Sequence, residues 1–136
     1  MKFEVLERVR WSDCDPFGII YYGAYVRLFQ VAEEEMWRAC GLPYALLREE
    51  KGVWIPRKAF SAEFHSPAQI DEQVAIEAWF SKLGNSSVTM QFEVYRASDR
   101  VHRASGSLTV VAVDKPTMKP KRLPDEVRKM LSVYAR

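Results

Sequence analysis

Soft metal ligands are scarce in this 136-residue chain, which has only two cysteines and two histidines. Cys14 and Cys40 stand in no ligand spacing with each other or with His65 and His102, so no metal site is expected. Two cysteines do not make a disulfide framework, and a reducing cytoplasm is the expected compartment. No window approaches the ~18 apolar residues that a membrane span needs. The N-terminal residues alternate charged and apolar side chains, which is not the pattern of a signal peptide. A net charge of +2 is no footprint of a nucleic-acid binder. There is no Gly-rich phosphate loop and no Gly-x-Ser-x-Gly elbow, so nucleotide hydrolysis and serine-hydrolase chemistry lack their usual motifs. No repeat, low-complexity stretch or linker interrupts the chain, so residues 1–136 read as one domain.

Hydrophobic content of 48% and charged content of 28% are those of a globular protein with a core. The charge is uneven. Residues 115–136 hold seven basic against two acidic residues, a net +5, whereas residues 1–114 hold thirteen against sixteen, a net −3.

The densest chemical information lies in residues 11–25. Asp13 and Asp15 sit two apart in a turn-forming segment with Pro16 and Gly18, just before a helix. A carboxylate beside a helix N-terminus is a plausible catalytic pairing: it can attack or take a proton, while free backbone N–H groups hold a developing oxyanion. Before this segment, residues 2–11 alternate as a strand. After it, Tyr25, Leu28, Phe29, Ala32, Met36 and Ala39 form an apolar stripe at helical spacing over 24–40, stopped by Gly41. A short helix is expected over 43–51. Alternating segments near 60–65, 73–81, 88–94 and 101–113 follow, with turns at Gly84-Asn85 and Ser98-Asp99-Arg100. Pro124 opens a last basic helix. Consecutive strands with short turns make an antiparallel sheet, so the fold class is α+β, with one long amphipathic helix against the sheet.

Asp-Cys-Asp-Pro-Phe-Gly-Ile-Ile-Tyr-Tyr, at 13–22, resembles the hotdog-fold acyl-CoA thioesterases of the 4-hydroxybenzoyl-CoA thioesterase family. Pro56-Arg57-Lys58, Ser66-Pro67-Ala68 and the 118–124 segment are more similar to that family's Tol–Pal-associated branch. The resemblance implies an antiparallel sheet of five or more strands wrapped around one long central helix. It also implies homodimers or homotetramers with sites at the subunit interface. Its substrate would be an acyl-CoA, and no cofactor would be needed.

The resemblance makes Asp15 the catalytic carboxylate, as nucleophile or general base, and the backbone N–H at Tyr22 the oxyanion donor, with Gly23 beside it. Asp13 is assigned a structural role. Relatives of the Tol–Pal branch often carry His where this chain has Tyr22, so a mechanism through that histidine is closed here. Lys82, Ser86 and Ser87 match the segment that runs along pantetheine, and Arg57 and Lys58 are further candidates for the coenzyme's phosphates, each with solvated surface charge as its plainer reading. Glu35 lies at the edge of the apolar stripe, with Glu33 and Glu34 pointing further out, and is read as a structural anchor. His65 and His102 read as isolated. Trp37, Trp54, Trp79 and Phe60 read mainly as core. The competing reading is a non-catalytic acyl-CoA-binding or interaction protein on the same scaffold.

Overall fold

A computed structural model describes every residue, Met1–Arg136. Strand β1 (Phe3–Arg8) leads through the 11–24 segment into the long helix α1 (Tyr25–Ala39). Helix α2 (Tyr44–Glu49) follows, then strands β2 (Arg57–Phe64), β3 (Gln73–Leu83), β4 (Ser87–Arg96) and β5 (His102–Val111), and helix α3 (Asp125–Leu131). The strands form one antiparallel sheet in the order β1-β3-β4-β5-β2. Each expected element is present, with ends differing by a few residues. The expected short strand near 60–65 begins earlier, at Arg57, because it pairs with β5 as far as Val110.

The order follows from alternation. Val88, Met90, Phe92 and Val94 of β4 and Val74, Ile76, Ala78 and Phe80 of β3 point to one face and are buried. Helix α1 lays Tyr25, Leu28, Phe29, Ala32, Met36 and Trp37 on that face. The other face is polar: the hydroxyls of Thr89 and Thr109 bond across strands at 3.0 Å, and Gln91 Nε2 donates to Ser107 and Ser81 Oγ, each at 3.2 Å. A sheet with one dry and one wet face needs a single covering helix.

Gly106 sets the approach of helix to sheet. A Cβ there would lie 2.6 Å from the Phe29 ring, so only glycine admits it, and Phe29 also stacks on Phe92 at 5.2 Å. Of the expected core aromatics, Trp37 is fully buried, whereas Trp54 and Trp79 are half-buried and Phe60 is exposed. Trp54 and Trp79 lie against cations: Arg48 and Lys115 over Trp54, Lys2 and Arg136 over Trp79. Ala39, placed on the stripe by spacing, is exposed at the helix end.

The two edges of the sheet differ. β1 alternates Glu4 and Arg8 with apolar residues, and Glu4 is paired with Arg100. β2, paired only with β5, presents Phe60 and Phe64, each about half exposed.

Candidate active site

The segment between β1 and α1 is pinned on both sides. Asp13 is 3% exposed and binds the Arg10 backbone N–H at 2.8 Å, Arg27 Nε at 2.8 Å and Arg27 Nη2 at 2.5 Å. Arg27 comes from the first turn of α1 and also reaches Glu7 at 3.0 Å. The backbone of 18–21 is held by Ile20 N–H to Ala68 C=O at 2.9 Å, Ile70 N–H to Gly18 C=O at 3.0 Å and Tyr21 N–H to Asp13 C=O at 3.0 Å. Asp13 is thus the structural aspartate that the sequence indicated.

Asp15 opens a tight turn. Its backbone carbonyl accepts from Gly18 N–H at 3.0 Å, and Gly18 adopts φ +78°, which favours glycine. Its Oδ1 accepts from Phe17 N–H at 2.9 Å and, more weakly, Ile19 N–H at 3.4 Å. Its Oδ2 has no partner within the chain. The carboxylate is half-buried and lines a cleft of about 370 Å³ with Trp11, Cys14, Pro16, Gly18 and Ile70.

Tyr22 and Gly23 begin a single 3-10 turn that leads straight into α1. Ala24 N–H returns to Tyr21 C=O, whereas the N–H groups of Tyr22 and Gly23 have no acceptor in the chain. The Tyr22 side chain is 77% exposed, with its ring 6.5 Å from that of Phe64. It lines a second cleft, of about 320 Å³, with Tyr25, Phe64, His65 and Ser66. Asp15 does not line that cleft, so within one chain Asp15 and Tyr22 border separate openings.

The residues expected along coenzyme A are dispersed. Lys58 and Lys82 are exposed and unpaired. Ser86 and Ser87 sit at the β3–β4 hairpin, where Arg128 donates to the carbonyls of Leu83 and Gly84, each at 2.8 Å. Part of the basic C-terminal charge is therefore structural. Arg57 is not a free surface cation: it pairs with the buried Glu33.

Two readings are corrected. The buried helix carboxylate is Glu33, 2% exposed, not Glu35, which is exposed enough to pair with Arg38 across one turn. Trp37 widens the buried face of α1, and Glu33 lies between Phe29 and Trp37 at successive i+4 positions. His65 and His102 are not isolated: β2–β5 pairing stacks their rings at 4.2 Å, with Tyr95 beyond at 4.9 Å and Glu93 within 2.5 Å of His102 Nε2.

The carboxylates divide by environment. Burial raises the pKa of Asp13 and Glu7, but their bonds to Arg27 and to backbone N–H groups outweigh it, and both lie below their ordinary values. Glu33 goes the other way: burial lifts it, against the opposing pull of Tyr44 and Arg57. The stabilisation from Asp13 and Glu7 is complete above the unfolded value of about 4 and is lost as pH falls through their depressed folded values. Asp13→Asn therefore flattens the acid limb of the stability curve. Denaturation midpoints between about pH 6 and pH 3 check this, and an unchanged slope would count against Asp13 as the main contributor.

Tyr25 is buried, with a hydroxyl lacking a hydrogen bond of acceptable geometry, although the Ala68 N–H is near. Burial pushes its pKa up to about 12.

Residues 9–131 match the family model of the Thioesterase-like superfamily. Among curated relatives, the acyl-CoA thioester hydrolase YbgC of Escherichia coli is 28% identical over 88% of each chain. The 4-hydroxybenzoyl-CoA thioesterase of a Pseudomonas species is 29% identical over 68% of this chain and 67% of its own. Among solved structures, a thioesterase superfamily protein of Jannaschia superimposes with a TM-score of 0.89 at 26% identity, covering 98% and 93% of the two chains. An aspartate-to-asparagine mutant of 4-hydroxybenzoyl CoA thioesterase, complexed with 4-hydroxybenzoyl CoA, superimposes with a TM-score of 0.87 at 22% identity, covering 96% and 99%. With its five-stranded antiparallel sheet laid over one long helix, the chain has the hotdog fold and belongs to the Thioesterase-like superfamily.

Proposed function

We propose that the protein hydrolyses acyl-CoA thioesters to the free acid and CoA, with Asp15 as the catalytic carboxylate and the Tyr22 backbone N–H as oxyanion donor. One observation carries this reading: Asp15 has an unengaged Oδ2 on a turn held rigid by the Asp13–Arg27 pair, seven residues before a helix start whose N–H groups have no acceptor. A carboxylate so placed can add to the thioester carbonyl, expelling CoA thiolate and leaving a mixed anhydride that water cleaves. It can equally take a proton from an attacking water. In both routes charge gathers on the carbonyl oxygen, which a helix-start N–H stabilises. Lys58, Lys82, Ser86 and Ser87 are the residues of this chain that suit the coenzyme's phosphates and pantetheine. The test is thiol release from a panel of short, long and aromatic acyl-CoAs. Acyl-CoA binding without turnover on any member would favour a binding protein on the same scaffold.

The site is completed by a second copy. The separation of the Asp15 and Tyr22 clefts and the apolar, unpaired β2 edge support pairing of two chains through that strand. The expected solution mass is twice the 15.8 kDa of the chain, or a multiple of that. Phe64→Asp shifts it toward the monomer and lowers turnover together. Light scattering checks this, and a monomeric wild type at micromolar concentration would remove the interface. We further propose a cytoplasmic location, which fits the free thiols of Cys14 and Cys40.

A further inference from the structure

The two histidines stand outside the Asp15 chemistry, and their hydrogen bonds fix where the protons lie. Glu93 Oε2 accepts from the Ser105 hydroxyl at 2.6 Å and from His102 Nε2 at 2.5 Å. A serine hydroxyl has one proton to give. With that proton on Glu93, Ser105 Oγ is left to accept, and the near donor is His65 Nε2 at 2.9 Å. The network therefore assigns the His65 proton to Nε2 and leaves Nδ1 with a lone pair that no group of the chain engages.

His65 is also held in place. Its backbone N–H donates to the Arg103 carbonyl at 2.9 Å, and the Ser66 hydroxyl donates to the His102 carbonyl at 2.7 Å while accepting from Arg103 at 2.9 Å. Arg103 is itself buried and paired with Glu72 at 2.7 Å. The His102 ring covers one face of the His65 ring at 4.2 Å. Beyond that contact His65 is exposed, and it borders the cleft of about 320 Å³ that Tyr22 and Tyr25 also line. An imidazole with one free nitrogen, backed through a hydroxyl by a carboxylate, is equipped as a base. When Nδ1 takes a proton, Nε2–H keeps its bond to Ser105, and the Glu93 charge stabilises the imidazolium.

We propose that His65 is the general base of deacylation. The inference rests on the thioesterase reading and on its anhydride route. It needs no particular register between two chains, because His65 and Tyr22 share one chain and one cleft. Asp15 adds to the thioester carbon, and the C–S bond breaks to release CoA thiolate. Water then attacks the acyl carbon of the anhydride while one of its protons passes to His65 Nδ1. The bond from that carbon to the Asp15 oxygen breaks, and its electron pair leaves on the Asp15 carboxylate. The products are the free acid and a restored Asp15, and the imidazolium gives its proton to the thiolate or to solvent. Ser105 and Glu93 touch no reacting atom and serve as positioning residues.

Stopped-flow thiol release with excess acyl-CoA separates the two halves of the reaction. His65→Gln is expected to release one equivalent of thiol per site at the wild-type rate and then to turn over about 10²-fold more slowly, the low end of what a positioned base contributes. Ser105→Ala keeps the burst and slows the later phase about 10-fold, the effect of one hydrogen bond to a charged group. Imidazole added to His65→Ala restores the slow phase and leaves the burst alone, which a merely structural histidine would not show. Unchanged turnover in His65→Gln overturns the proposal. So does an equal loss in both phases, or a slow phase that imidazole leaves as it was. Wild type that releases no thiol from any acyl-CoA removes the thioesterase reading and this proposal together, whereas an active wild type indifferent to His65 removes the proposal alone.

Discussion

Asp15→Asn lowers kcat for thioester hydrolysis by about 10²–10⁴-fold, the usual contribution of a positioned acid–base group, while leaving the fold in place. The substitution is informative because of what it keeps. The Asn Oδ1 still accepts from the Phe17 and Ile19 N–H groups, so the turn closes as before. Only the charge and basicity of the free atom are lost. Thioester binding should persist, and the loss should fall on kcat and kcat/KM together, the mark of an interaction made only in the transition state. Stopped-flow thiol release and a thermal melt on one preparation decide the matter. Turnover equal to wild type would remove Asp15 from the mechanism, and an equal fall in melting temperature would reassign it to the turn.

Asp13→Ala is expected to be the more damaging change to the folded state, at about 3–5 kcal/mol, the cost of breaking a buried pair by removing one partner. Asp13 satisfies one backbone N–H and two donors of Arg27, and its alanine replacement leaves the guanidinium with Glu7 and the Arg8 carbonyl. A third of the Arg27 side chain is exposed, so water recovers part of the loss and the lower end of that range is expected. Activity falls as well, because Asp13 is what ties the Asp15 turn to the first turn of α1. Urea denaturation at fixed protein concentration gives the stability, and Asp13→Asn separates shape from charge. A loss below about 1 kcal/mol would place the pair among ordinary surface ion pairs.

The turn that carries these two aspartates was readable from sequence because its signals are local: turn residues, a proline, a glycine and the start of an amphipathic stripe all fall within fifteen positions. The strands were readable because each alternates on a half-buried sheet. What stayed hidden depends on contacts between distant segments. Glu33 and Glu35 differ by less than a turn, and choosing between them requires knowing that α2 brings Tyr44 and β2 brings Arg57 to the same flank. The succession Phe29, Glu33, Trp37 did carry the signal, had Trp37 been counted in the stripe. Nothing local joins His65 to His102 or Arg128 to the β3–β4 hairpin. Those depend on strand register and on where the C-terminal helix comes to rest.

The contact of Phe29 with Gly106 has a consequence for what this scaffold can be made to accept. Helix and sheet meet there without slack, so no acyl chain passes between Phe29 and Gly106. In the proposed pairing of two chains, room for the acyl group lies in the seam between them, beside the exposed Val26, Phe60 and Phe64. Substrate range can therefore drift by substitution at positions that folding of one chain barely registers. A change of diet need not endanger the architecture that serves it.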